Sequence, residues 1–186
     1  MEILDSNQPV IDPKSVSPYP VANRLGLIGG LCFVVYGFLM FIIYTNPTEG
    51  GLVKFLISTP IFVAIIIMAV RKHRDEDLGG YITFGRAFFV GFIAILIART
   101  IFTLFNLLYT TVINPNFAAD MLDQLREAYE KQGMSEAQIE QSIKFVEMFS
   151  NPVAALGFGI VWAAITGAVV AAIVAAFMQK ERPASV

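Results

Sequence analysis

The sequence is short of the residues that build metal clusters and disulfide frameworks. It contains one cysteine, Cys32, and one histidine, His73, among 186 residues. A single cysteine can form no disulfide within the chain and no cysteine metal cluster. Charged residues are also scarce, at 15%, whereas an average soluble domain has about 25%. With 56% hydrophobic residues, the chain is too apolar for an ordinary soluble domain.

The composition argues against two classes of function, nucleic-acid binding and enzymatic catalysis. The chain has 13 lysines and arginines against 15 acidic residues, with no basic arm or stripe to neutralise phosphates, so we expect no nucleic-acid partner. The sequence also offers no carboxylate pair, no nucleophile beside a base and no metal-ligand cluster. We therefore expect neither an enzyme nor a bound cofactor.

What the sequence has in abundance is long apolar runs, at residues 25–45, 52–70, 84–113 and 153–178. About 20 residues of α-helix cross a hydrocarbon core of about 30 Å, and each run is close to that length or longer. The predicted fold class is all-α, a four-helix transmembrane bundle within a membrane domain of residues 24–178. Residues 1–23, which are rich in proline, are predicted to be a disordered cytoplasmic tail, and residues 179–186 a second cytoplasmic tail.

The distribution of basic residues predicts which way the bundle faces. Lysine and arginine collect in the short cytoplasmic loops of membrane proteins. The connection between the second and third runs contains Arg71, Lys72, Arg74 and Arg86, whereas the connection NPTEGG between the first and second runs contains no basic residue. We therefore place the basic loop in the cytoplasm and, because there are four spans, both termini with it.

The same loop contains three candidates for a ligand site, Asp75, Asp77 and His73. A D-x-D pair can bind a metal or a nucleotide, but motifs this short have many false positives. For all three residues we favour a cluster of solvated charges.

Residues 114–152, between the third and fourth runs, are predicted to form an extracytoplasmic helical hairpin. Apolar residues recur at helical spacing in two stretches that Gly133 separates. The first stretch contains Phe117, Met121, Leu125 and Tyr129, and the second contains Ile139, Ile143 and Val146 after a capping box of Ser135 and Gln138. Seven acidic residues against three basic ones argue against helices that lie flat on anionic lipid. We expect the two stripes to bury each other, with the end of the bundle or a partner as a further packing surface.

The fourth run carries a row of small residues at every fourth position: Ala155, Gly159, Ala163, Gly167, Ala171 and Ala175. Small residues let helix backbones approach closely inside a membrane. The row predicts helix packing, either against another helix of this chain, which we favour, or against a second copy in a homo-oligomer.

Arg99 is the unusual residue of the third run. It lies 13 residues after Arg86, or about 20 Å along a helix, which places it deep in the membrane. Thr103, Asn106 and Thr110 follow at spacings of four, three and four and extend a polar stripe toward the outer face. The stripe is a candidate solute pathway or a cradle for an anionic ligand. The alternative is structural, with Arg99 extending toward the outer headgroups from a long helix.

Several motifs occur in the order of a known family. They are residues 71–87, RKHRDEDLGGYITFGRA, then residues 114–117, NPNF, residues 132–135, QGMS, and the closing helix of small residues. From about residue 24 onward this pattern resembles the bacterial family of unknown function DUF4199. The resemblance implies an integral protein of the bacterial inner membrane with its hairpin in the periplasm. It implies no activity and supplies no catalytic or binding residues.

Together these patterns predict a non-enzymatic envelope accessory or interaction protein that is embedded in the lipid bilayer. Its partner, another envelope protein or a second copy, is expected to bind through the periplasmic hairpin. The alternative function is a transporter or channel component that uses Arg99 and its polar stripe.

Overall fold

A computed structural model describes residue 12 and residues 15–44, 49–148 and 151–181. These residues form six helices: α1 Tyr19–Ile43, α2 Gly51–Lys72, α3 Phe84–Leu108, α4 Phe117–Lys131, α5 Glu136–Glu147 and α6 Pro152–Met178. Wider π-helical turns continue α2 through His73–Asp77 and α3 through Tyr109–Ile113. With these extensions, α1, α2, α3 and α6 are each long and apolar enough to cross a membrane.

Three of the four long helices have ends that differ from the predicted spans. The first helix begins at Tyr19, so the predicted tail of residues 1–23 is too long by its last five residues. Proline is tolerated in the first turn of a helix, where its missing N–H is not needed, and Pro20 lies there. The second helix runs on from residue 70 to Asp77 because its polar end is held by side-chain contacts. The fourth long helix begins with Pro152, and the Asn151 side chain caps it.

α3 is the central helix and contacts α1, α2 and α6. Its middle carries the fully buried residues Val90, Ala94, Ile95 and Ala98. Glycines of the neighbouring helices bring the backbones close to α3. A Cβ added to Gly26 of α1 would lie 2.8 Å from Ile97 Cβ.

The predicted row of small residues on α6 divides into two parts. Ala163, Gly167, Ala171 and Ala175 are buried, and a Cβ on Gly167 would lie 3.1 Å from Ile95 Cγ2 of α3. Ala155 and Gly159 are half-buried, and both line a cavity that lies between α6 and α3. The row therefore packs within the chain along its second half and borders open space along its first half.

The N-terminal segment, the α2–α3 connection and the C-terminal segment meet at one end of the bundle, which we call the basic end. Ile82 and Lys180 exchange two backbone hydrogen bonds of 2.9 Å, which join the connection to the segment after α6. Arg86 donates a hydrogen bond to the carbonyl oxygen of Val16, which precedes α1. Gly79 and Gly80 have φ values of +65° and +88°, and these glycines turn the chain between α2 and α3. Three segments that were predicted to share a side of the membrane thus share one end of the fold.

α4 and α5 lie at the opposite end and contact each other. Gly133, with φ of +76°, makes the turn between them. The predicted capping box forms, and the Ser135 N–H donates to Gln138 Oε1 at 3.0 Å. Ile139 and Ile143 of the α5 stripe are buried, whereas the α4 stripe is half-buried.

An aromatic cluster attaches the start of α4 to the bundle. The rings of Phe41 in α1 and Tyr109 after α3 stack with centroids 3.8 Å apart. Phe117, the first residue of α4, lies edge-on to both, at 5.5 Å from Phe41 and 6.2 Å from Tyr109. Such pairs stabilise by about 0.5–1.5 kcal/mol beyond the burial of their area. The start of α4 therefore contacts two long helices through one ring.

Candidate functional site

The four residues predicted as a polar stripe on α3 line one cavity. Arg99, Thr103, Asn106 and Thr110 border a space of about 530 Å³ between α3, α4 and α6. This volume lies within the range of about 300–1,000 Å³ that is usual for small-molecule sites. The spacing seen in the sequence thus places the four side chains on one face of α3, and that face borders open space.

The remaining walls of the cavity are mostly apolar. α6 contributes Ala155, Gly159 and Trp162, and α4 contributes Phe117 and Met121. Gly159 lets α6 pack closely on α3 at the cavity wall, because a Cβ on Gly159 would lie only 2.8 Å from Thr103 Cγ2. The α4–α5 pair therefore covers the outer part of the cavity.

Arg99 alone is charged among the residues that line the cavity. Its guanidinium carbon lies 5.3 Å from the ring centroid of Phe33, 5.4 Å from that of Phe102 and 6.0 Å from that of Phe62. Phe33 is fully buried, so the guanidinium points into the bundle and not toward surrounding lipid. A cation over an aromatic face is stabilised by about 0.5–2 kcal/mol. This gain offsets part of the cost of placing an arginine at the centre of a membrane helix, which is about 2.5–3.5 kcal/mol.

The hydrogen bonding of Arg99 is incomplete. Its Nε is buried and has no hydrogen-bond partner among the described residues. The neighbouring hydroxyls are engaged in their own helix, since Thr103 donates to the Arg99 carbonyl oxygen at 2.8 Å and Thr110 to that of Asn106 at 3.0 Å. Three phenylalanine rings lie within about 6 Å of the charge. The site therefore places one cation, with a buried Nε that has no partner among the described residues, at one end of a largely apolar space.

The cavity ends at Arg99 on the side of the basic end. Among the five residues that precede Arg99, Ala94, Ile95 and Ala98 are fully buried against neighbouring helices. The polar lining thus continues from Arg99 only toward the α4–α5 end. This arrangement is a pocket with one closed end.

The basic end contains a second polar cluster, centred on His73, a residue that we predicted to lie in solvent. That prediction was wrong, because the His73 side chain is fully buried. Its Nδ1 lies 2.7 Å from Asp77 Oδ2, and its Nε2 accepts a hydrogen bond from Arg86 Nε at 3.0 Å. The separation of four residues between His73 and Asp77 was the available signal, since such residues face each other on a helix.

The two aspartates of the D-x-D pair have separate partners. Asp75 is exposed and forms ion pairs with Arg74 at 2.7 Å and Arg71 at 3.6 Å. Asp77 faces His73 instead. Within the described ranges, no three histidine, cysteine or acidic side chains are grouped so that they could hold a metal ion.

A family model matches residues 24–180, which include the whole cavity, the α2–α3 connection and all of α1 except its first five residues. The chain belongs to the DUF4199 family. The family is described as a protein of unknown function, so membership assigns no role to Arg99 or His73 in this DUF4199 protein. No curated protein and no solved structure matches the chain.

Proposed function

We propose that this DUF4199 protein is a non-enzymatic accessory protein of the bacterial inner membrane that acts through contacts at its periplasmic end. In this proposal the basic end faces the cytoplasm, and α4 and α5 form a periplasmic hairpin. The observation that carries the proposal is the acidic α4–α5 pair at the end of the bundle opposite the basic residues. The positive-inside rule supports this orientation.

The outer surface of α4 and α5 is suited to a charged partner. The apolar stripe of α5 is buried, whereas the acidic residues of both helices are exposed: Asp120, Asp123, Glu127, Glu130, Glu136, Glu140 and Glu147. Lys131 pairs with Glu127 at 2.7 Å and Lys144 with Glu140 at 2.8 Å, so two of the three basic residues are engaged within their own helices. A partner with a basic surface complements this charge.

The aromatic cluster supports a contact role as well. Phe117 attaches the start of α4 to Phe41 and Tyr109, which restricts how far the acidic surface can move relative to the bundle. A surface held in this way loses less conformational freedom when a partner binds.

Site-specific photo-crosslinking in cells tests the partner contact. A photoreactive phenylalanine is introduced at Glu130 in α4, at Glu136 in α5 and, as the matched control, at the outward-facing Val169 of α6. We expect discrete protein adducts from positions 130 and 136, and we expect replacing Asp120 and Asp123 by asparagine to weaken them. If the α4 and α5 positions give no adduct beyond that of position 169 in correctly inserted protein, the contact role is wrong.

The transporter alternative receives less support from the geometry. A pathway needs polar lining or a gate on both sides of its binding site, whereas the closed end beyond Arg99 is formed by alanine and isoleucine. A pocket that opens at one end supports binding more directly than it supports passage.

A further inference from the structure

We propose that the cavity around Arg99 binds a single-chain carboxylate amphiphile, a fatty-acid type of lipid taken from the bilayer. The carboxylate would lie at the Arg99 guanidinium, and the hydrocarbon chain would lie along the apolar walls that α4 and α6 supply. This inference names a ligand for the site and is separate from the proposed contact of the acidic surface.

The charge of the ligand follows from the donor that the cavity offers. Arg99 alone is charged in the lining, and its buried Nε has no acceptor among the residues that the structure describes. A carboxylate accepts two parallel N–H groups from a guanidinium, and such paired bonds are strong where water is scarce. The rings of Phe33, Phe62 and Phe102 hold the guanidinium in place without using its donors.

The apolar body of the ligand follows from the walls. Apart from the α3 stripe, the side chains that border the space are chiefly hydrocarbon and aromatic, among them Phe102, Leu107, Met121, Leu156 and Trp162. An inorganic anion would pair with the charge of Arg99 but would make no contact with these apolar walls. A hydrocarbon chain attached to the carboxylate would fill the same space.

The source of the ligand follows from the edge of the cavity. Phe158 and Trp162 line it and remain 52% and 53% exposed, so the cavity is not enclosed where these two residues lie. One edge therefore opens on a surface that lies within the hydrocarbon layer when α6 spans the membrane. A lipid can enter through that edge without crossing water.

Trp162 provides the readout, because it is the only tryptophan in the chain and it lines the cavity with Arg99. Bromine quenches tryptophan fluorescence at short range. The protein in lipid nanodiscs is titrated with dodecanoate brominated either beside the carboxylate or at the chain end. Trp162 lies about 15 Å into α6, near the middle of the membrane. We expect saturable quenching that is stronger for bromine beside the carboxylate.

Free partitioning into the bilayer gives the opposite order. A fatty acid in lipid keeps its carboxylate at the interface, so the chain-end bromine would approach Trp162 more closely. Stronger and non-saturable quenching by the chain-end bromine would overturn the proposal. Unbrominated dodecanoate is expected to compete, whereas acetate and inorganic phosphate are not. Equal competition by either small anion would also overturn it, in favour of a free anion from water.

Three variants locate the site. Arg99→Met is expected to raise the half-saturating concentration by about tenfold or more, the effect of losing a charged hydrogen bond. Arg126→Met, which removes an exposed arginine of α4, is the matched control and is expected to bind normally. Ala155→Phe fills the cavity without changing Arg99 and is expected to abolish saturable quenching, which keeps the test decisive if Arg99→Met does not fold. Unchanged binding in Ala155→Phe, or in folded Arg99→Met, contradicts the ligand proposal. Such a result would not bear on the separate proposal that the acidic surface contacts a partner.

Discussion

Nε of Arg86 donates a hydrogen bond to Nε2 of His73 at 3.0 Å, and this bond joins the start of α3 to the end of α2. Because arginine can only donate, Nε2 must be the acceptor, and the ring proton lies on Nδ1. Nδ1 then donates to Asp77 Oδ2 at 2.7 Å. Since Arg86 also bonds to the carbonyl oxygen of Val16, one buried histidine connects three segments at the basic end.

We expect His73→Ala to lower the free energy of unfolding by about 1–3 kcal/mol, because Asp77 and Arg86 would lose a buried hydrogen-bond partner. Unfolding in mixed detergent micelles, followed by circular dichroism, measures the change. The control is Glu76→Gln, which removes an exposed ion pair of 2.6 Å with Lys72 and should cost less than about 1 kcal/mol. Equal losses in the two variants would show that the histidine network is not stabilising.

Close packing of α1 on α3 gives a second prediction. A Cβ on Gly26 would lie 2.8 Å from Ile97 Cβ and 2.9 Å from the Ala94 carbonyl oxygen, so the helices must separate. We expect Gly26→Ala to cost about 1–3 kcal/mol in the same unfolding assay. Gly157→Ala is the matched control, because nothing lies within 4 Å of its added Cβ and it should cause no loss. If Gly157→Ala were the more harmful change, the packing of α1 on α3 would be different from that described.

The attachment of α4 to the bundle gives a third prediction. Phe117→Ala removes the ring that lies edge-on to Phe41 and Tyr109, so α4 and α5 should open more often. We expect trypsin to cleave after Arg126 and Lys131 faster than in the parent protein, while the long helices stay intact. Phe84→Ala, a change of a partly exposed ring at the basic end, should leave this rate unchanged. Protection of α4 and α5 that survives Phe117→Ala would exclude the aromatic cluster as their anchor.

The closed end of the cavity gives a fourth prediction. Ala94, Ile95 and Ala98 are fully buried between Arg99 and the basic end, so small organic anions should not pass through the protein. We expect proteoliposomes to release a trapped carboxylate no faster than protein-free vesicles. Release that depends on Arg99 would instead support the transporter alternative.

The four long helices follow from the sequence because length and apolarity alone decide whether a helix can span a bilayer. The face shared by Arg99, Thr103, Asn106 and Thr110 follows as well, because helical periodicity fixes which side chains are neighbours. The rings around Arg99 could not be predicted, since Phe33 and Phe62 belong to α1 and α2 and reach it only through tertiary packing.

The burial of His73 could not be predicted from its neighbours in the sequence. Its charged neighbours suggested solvent, yet the π-helical turn His73–Asp77 carries the residue back against Arg86 and Asp77. Local composition shows that the loop is polar. It does not show which of the polar side chains is buried, because that depends on tertiary packing.

Cysteine labelling tests the central claim, that the α4–α5 pair lies in the periplasm and the basic end in the cytoplasm. In a Cys32→Ser background, Asn116→Cys marks the start of α4, and Glu181→Cys marks the segment after α6; both positions are exposed. A membrane-impermeant thiol reagent is added to intact spheroplasts and, separately, to permeabilised ones. The account predicts that position 116 is labelled in intact spheroplasts and position 181 only after permeabilisation. Labelling of position 181 in intact spheroplasts, with position 116 protected, would contradict it.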